Sequence, residues 1–115
     1  MADYPPELKR KLEALRASFA SNLAGAMREL ESAAQDLGDG APDEDVHGAL
    51  QAIHARAHKL AGSAATFGFP RVGEIAQDLE EHCFAMLMEA GPPPGTRQTI
   101  ADLLATLGEA VEKGD

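Results

Sequence analysis

Val46-His47-Gly48-Ala49-Leu50-Gln51-Ala52-Ile53-His54-Ala55-Arg56-Ala57-His58-Lys59-Leu60-Ala61-Gly62-Ser63-Ala64-Ala65-Thr66-Phe67 is the stretch that decides the fold class. Val46, Leu50, Ile53, Ala57, Leu60, Ala64 and Phe67 step by three or four. That spacing puts them on one face of a helix and fits no strand, whose faces alternate every second residue. Asp43–Asp45 open the helix with carboxylates suited to its positive end. Gly68 supplies a C-terminal cap.

The same rhythm extends both ways. Upstream, Leu8, Leu12, Leu15, Phe19, Leu23, Met27 and Leu30 form one stripe that Leu37 rejoins, so a long helix is expected from about Pro6 to about Leu37. Pro5-Pro6 suits its first turn. Ser18, Ser21 and Asn22 leave open whether it is one helix or two. Gly38-Asp39-Gly40-Ala41-Pro42 ends it. Downstream, Pro70 opens a third helix with a stripe of Val72, Ile75, Ala76, Leu79, Cys83, Met86 or Leu87, and Ala90. Gly91-Pro92-Pro93-Pro94-Gly95 breaks the chain again. Thr96 is placed to cap a fourth helix carrying Ile100, Leu103, Leu104, Leu107 and Val111, and Glu112-Lys113-Gly114-Asp115 should fray. No segment alternates with period two. The expectation is all-α: an antiparallel up-down four-helix bundle, one domain over residues 1–115, with a long first helix.

Composition narrows the function. The chain has 115 residues and a formal net charge of −9, which argues against nucleic acid and anionic membrane as partners. Its one cysteine, Cys83, rules out an intrachain disulfide. Met1-Ala2-Asp3-Tyr4-Pro5 has neither the basic nor the apolar region of a signal peptide, so a cytoplasmic protein is expected. No apolar run has the length of a membrane span. The four stripes call for no further helix, so a monomer is expected.

The charge is uneven. Between Val46 and Gly73 there is no acidic residue, while Arg56, Lys59 and Arg71 contribute +3, which leaves −12 for the remainder of the chain. Such an island suits an anion. His58 lies within it, about 120° round the helix from the centre of its apolar stripe, where solvent reaches it. One turn away stand Ala55, Ala61 and Gly62, too small to screen an imidazole, and His54 at i−4 is the exception. A solvent-reached imidazole near neutral pH has a ring nitrogen free to act as nucleophile or proton acceptor. On the third helix, Glu80 falls about 80° off the stripe, on a boundary that can face His58.

Metal constellations are incomplete. His54 and His58 at i, i+4 have Ala55 between them, where a metalloprotease helix needs Glu. Glu44-x-x-His47 has no second copy to build a di-iron site. His82-Cys83 alone cannot complete a zinc set. Neither a metal nor a cofactor is expected.

The run Ala57-His58-Lys59-Leu60-Ala61-Gly62-Ser63-Ala64-Ala65-Thr66-Phe67-Gly68-Phe69 resembles the signature of histidine-containing phosphotransfer (HPt) domains, His-x-Leu/Ile-Lys-Gly-Ser/Ala followed by Gly. Val72, Ala76, Leu79 and Glu80 match the spacing of its continuation. The resemblance implies a stand-alone phosphorelay intermediate. His58 stands at the phosphorylated histidine. Gly62 stands at the glycine that leaves room for the phosphoryl group and its partner. Glu80 stands at a polar position that orients the imidazole. The implied partners are response-regulator receiver domains, a sensor histidine kinase, or both. Mg²⁺ is implied on the receiver, and no kinase activity of the domain's own.

Two positions depart from the pattern: the lysine three residues after the histidine is Ala61, and the cysteine of the continuation is Ala76, a swap within the core. Phosphate neutralisation then falls to Lys59, Arg56 or Arg71, or to the partner. Docking is expected on the strip beside His58, made by Gln51, Ala55, Gly62 and Ala65 of one helix and Gly73, Gln77, Glu80 and Phe84 of the next. Phe84 lies well off its stripe and either contacts the partner or packs under the first helix. The alternative function is a non-phosphorylated adaptor of the same fold that binds or inhibits a kinase or receiver.

Overall fold

The computed structural model describes residues 5–37, 43–88 and 96–114. They form four α-helices, α1 (Pro6–Ala34), α2 (Asp43–Ala64), α3 (Pro70–Leu87) and α4 (Thr96–Lys113), packed as an antiparallel bundle. Among the described residues there is no strand, and no helix is long and apolar enough to cross a membrane. The breakers at 38–42 and 91–95, Ala90, Asp115 and the side chain of Thr96 lie outside the described residues.

The first helix is continuous over 29 residues, with Pro6 in its first turn. The hydroxyl of Ser21 donates back to the Ala17 carbonyl at 3.0 Å, so it does not open the helix. After Ala34 the chain tightens into a 3₁₀ turn, Gln35–Leu37, which buries Leu37. The expected end at Leu37 is thus the end of the turn.

Between α2 and α3 the chain reverses through a glycine cap. Gly68 has φ +88°, the left-handed region that a side chain resists. Its N–H donates to the Ala65 carbonyl at 3.3 Å, and that of Phe69 to the Ala64 carbonyl at 2.8 Å. This reciprocal pair satisfies carbonyls that the helix end would leave free. Pro70 follows at the first position of α3.

The core collects Leu23, Met27 and Leu30 of α1 with the stripes of the other helices: Leu50, Ile53 and Ala57 of α2; Val72, Ile75, Leu79 and Cys83 of α3; Ile100, Leu104 and Leu107 of α4. The α2–α3 seam is made of small residues. A Cβ on Gly73 would stand 3.4 Å from the backbone nitrogen of Ala65 and 3.6 Å from the Ala64 side chain. Glycine there lets the two helices approach closely. Gly73 is therefore buried in the seam and is not part of the exposed docking strip on which the sequence reading put it.

The stripe of α1 is only partly covered. Phe19 packs on Phe67 and Phe69, with ring centroids 5.3 and 5.5 Å apart. Arg16 donates from Nε to the Phe67 carbonyl at 3.2 Å, and its guanidinium lies 5.1 Å from the Phe69 ring centroid. These contacts fix α1 to the α2–α3 turn. N-terminal to them Leu8, Leu12 and Leu15 are 39%, 40% and 51% exposed. Over this segment the apolar stripe of α1 is left partly uncovered by the described residues.

Candidate functional site

α2 and α3 bring together the two residues that the sequence sets 22 positions apart. Nδ1 of His58 lies 2.6 Å from a carboxylate oxygen of Glu80. The His58 side chain is 74% exposed and that of Glu80 only 20%. Glu80 follows the buried Leu79 and stands at the edge of the seam, so its carboxylate is held while the imidazole projects. A carboxylate only accepts, so Nδ1 carries the proton when the imidazole is neutral. Nε2 then has its lone pair, and it has no protein partner among the described residues. The arrangement is an oriented, accessible nitrogen nucleophile with a carboxylate behind it, able to offset positive charge that develops on the ring.

The neighbourhood leaves that nitrogen open. A Cβ at Gly62 would meet nothing within 4 Å, so no packing inside the chain calls for glycine there. Gln51, Ala55, Ala65 and Gln77 are exposed around it. Phe84 is 55% exposed. Its ring lies 6.0 Å from that of His54 of α2.

The basic island of the sequence is not gathered at His58. Arg56 turns the other way and pairs with Glu29 of α1. Lys59 lines a cleft between α1 and α2 together with Phe19, Asn22, Leu23, Arg56 and Ser63. Arg71 pairs along α3 with Glu74 at 3.5 Å. The cause is helical phase. Arg56 and Lys59 lie about 160° and about 100° round α2 from His58, on the side that meets α1.

His54 was read in the sequence only as a neighbour and half of a metal pair, and it turns out to sit in the site. Its ring is parallel to that of His58 within 6°, with centroids 6.4 Å apart. The i−4 spacing was the available signal. No group of three or more metal-ligating side chains occurs among the described residues. Cys83 is buried and free, and burial pushes its thiol up to about 12, which keeps it protonated at neutral pH. His82 is half-buried with Nε2 unpartnered.

Residues 14–113 match the model of the family described as the Hpt domain. No curated protein and no solved structure matches the chain.

Proposed function

The chain belongs to the Hpt domain family, and from that membership we propose that its phosphorelay role runs through His58. Nε2 of His58 attacks the phosphorus of an aspartyl phosphate on a receiver domain. The P–N bond forms as the P–O bond to the aspartate breaks, and the carboxylate leaves with the electron pair. The product is a phosphoimidazole whose positive charge is offset by Glu80 through the retained Nδ1–H. A second receiver then takes the group by the reverse chemistry. A sensor histidine kinase is the other donor class. The receiver contributes Mg²⁺, and with it most of the electrostatic stabilisation of the transition state. The chain acts as a stoichiometric carrier in the cytoplasm, where its receivers are. Its docking strip is Gln51, Ala55, Gly62, Ala65, Gln77 and Phe84 around the imidazole.

The observation that carries this reading is the pairing of a buried-edge carboxylate with one nitrogen of an exposed imidazole at 2.6 Å. A surface histidine with no task does not need its tautomer fixed. The test is direct. Incubated with a phosphorylated receiver domain and Mg²⁺, the wild-type protein should take up acid-labile, base-stable label, and His58→Gln should take up none. A wild type that binds the receiver without label would be an adaptor. Equal label on His58→Gln would move the phosphoryl group elsewhere.

A further inference from the structure

We propose that His54 is a second phosphate-facing residue of this site, donating a hydrogen bond to the phosphoryl group that His58 carries on Nε2. The proposal rests on the His58 reading and adds to it a hydrogen-bond donor for the transferred group within the chain. A phosphoryl group brings close to two negative charges to a place where Glu80 is already anionic. The three cations of the sequence island do not answer it. Arg56 is paired with Glu29, Arg71 with Glu74, and Lys59 lies on the α1 side of α2.

His54 answers it by position. It lies one turn before His58 and about 40° round the helix, toward α3. Its ring stacks parallel to that of His58 at 6.4 Å on one side and against Phe84 at 6.0 Å on the other. It is half-buried between them, which limits its rotamers, and no hydrogen bond to it occurs among the described residues. An imidazole held beside the nucleophile with unengaged ring nitrogens offers a donor to an oxygen of the transferred group. Phe84, 55% exposed in the docking strip, also backs the His54 ring.

Helical phase supplies a decisive control. Ala61, one turn after His58, lies about 60° round α2 in the same direction as His54. A cation at 61 would approach the phosphoryl group from the flank that His54 serves.

The experiment compares wild type, His54→Phe, His54→Gln and the double variant His54→Phe/Ala61→Lys in phosphoryl uptake from a phosphorylated receiver domain. Phenylalanine keeps the ring stack and removes the donors. Uptake by His54→Phe should fall about ten- to a hundredfold, the worth of one hydrogen bond to a charged group. His54→Gln, which keeps a donor, should retain most of the rate, and Ala61→Lys in the double variant should restore it. Circular dichroism checks that each variant folds. Should the phenylalanine variants not fold, His54→Leu and His54→Leu/Ala61→Lys take their place. Wild-type rates in the donor-less variant overturn the proposal and leave His58 standing. A slow variant that Ala61→Lys does not restore makes His54 a packing residue and overturns it too. A wild type that takes no label at all brings down the His58 reading first.

Discussion

The first ten residues of α1 and the α2–α3 seam begin from the same pattern and end in opposite environments. Leu8, Leu12 and Leu15 keep the three-four spacing as faithfully as Ile53, Ala57 and Leu60 do, yet the first three face water and the second three are buried. Periodicity fixes which face of a helix is apolar. It does not say what lies opposite. In the seam, what lies opposite is specified by size: Ala57, Ala64, Gly73 and Ala76 are small enough for the helix backbones to close up, and that approach sets His58 within 2.6 Å of Glu80. Above Arg16 no helix among the described residues buries the stripe. The match to the family model begins at residue 14, so Leu8 and Leu12 also lie outside it.

The sharpest way to break this contrast is to remove a large side chain from the seam. Leu79 is fully buried and precedes Glu80. Leu79→Ala should cost about 3 kcal/mol in urea unfolding, the usual loss for a core leucine that leaves a cavity. A loss below about 1 kcal/mol would mean that the seam is loosely packed and that the geometry of the site is not set by it.

A change at the edge of the same seam should separate chemistry from stability. Glu80→Ala removes the partner of Nδ1 from an exposed ring. Phosphoryl uptake by His58 should slow about tenfold, equivalent to about 1.4 kcal/mol, while the urea midpoint moves little. Unchanged uptake would remove Glu80 from the site. A collapse of stability would make it a structural residue.

Much of this is legible in the sequence. Pro6, Pro70 and Gly68 mark helix ends through backbone restrictions that hold in any context, and the stripes of α2 and α3 find one another because the turn between them, residues 65–69, is short. The His58–Glu80 contact was legible because both helical phases point to it. The fate of the charges was not. Counting Arg56, Lys59 and Arg71 as one island treats the chain as a line, whereas each residue turns about 100° round the helix from the last. The partner of Arg56, Glu29, is on another helix, and nothing local announces it. Ser21 was ambiguous for a related reason: a hydroxyl inside a helix either competes with the backbone or folds back onto it, and only the structure places it on the Ala17 carbonyl.

The smallest expected effect tests the other half of the contrast. Leu12 stands 40% exposed midway along the uncovered stripe. Leu12→Ala removes a side chain that lies outside the core cluster and trades one strong helix former for another. Urea unfolding should therefore shift by no more than about 0.5 kcal/mol, the range for surface substitutions. The measurement is made at two protein concentrations tenfold apart, with sedimentation at each. If Leu12→Ala costs more than about 1 kcal/mol, or if wild-type stability rises with concentration and the rise disappears in the variant, the stripe is covered by a second copy of the chain. That outcome would overturn the expectation of a monomer. It would not move His58, which lies past Arg16 and Phe19, the contacts that fix α1 to the bundle. A null result leaves Leu12 outside the folding core, which begins at Leu23 with Phe19 packed against it.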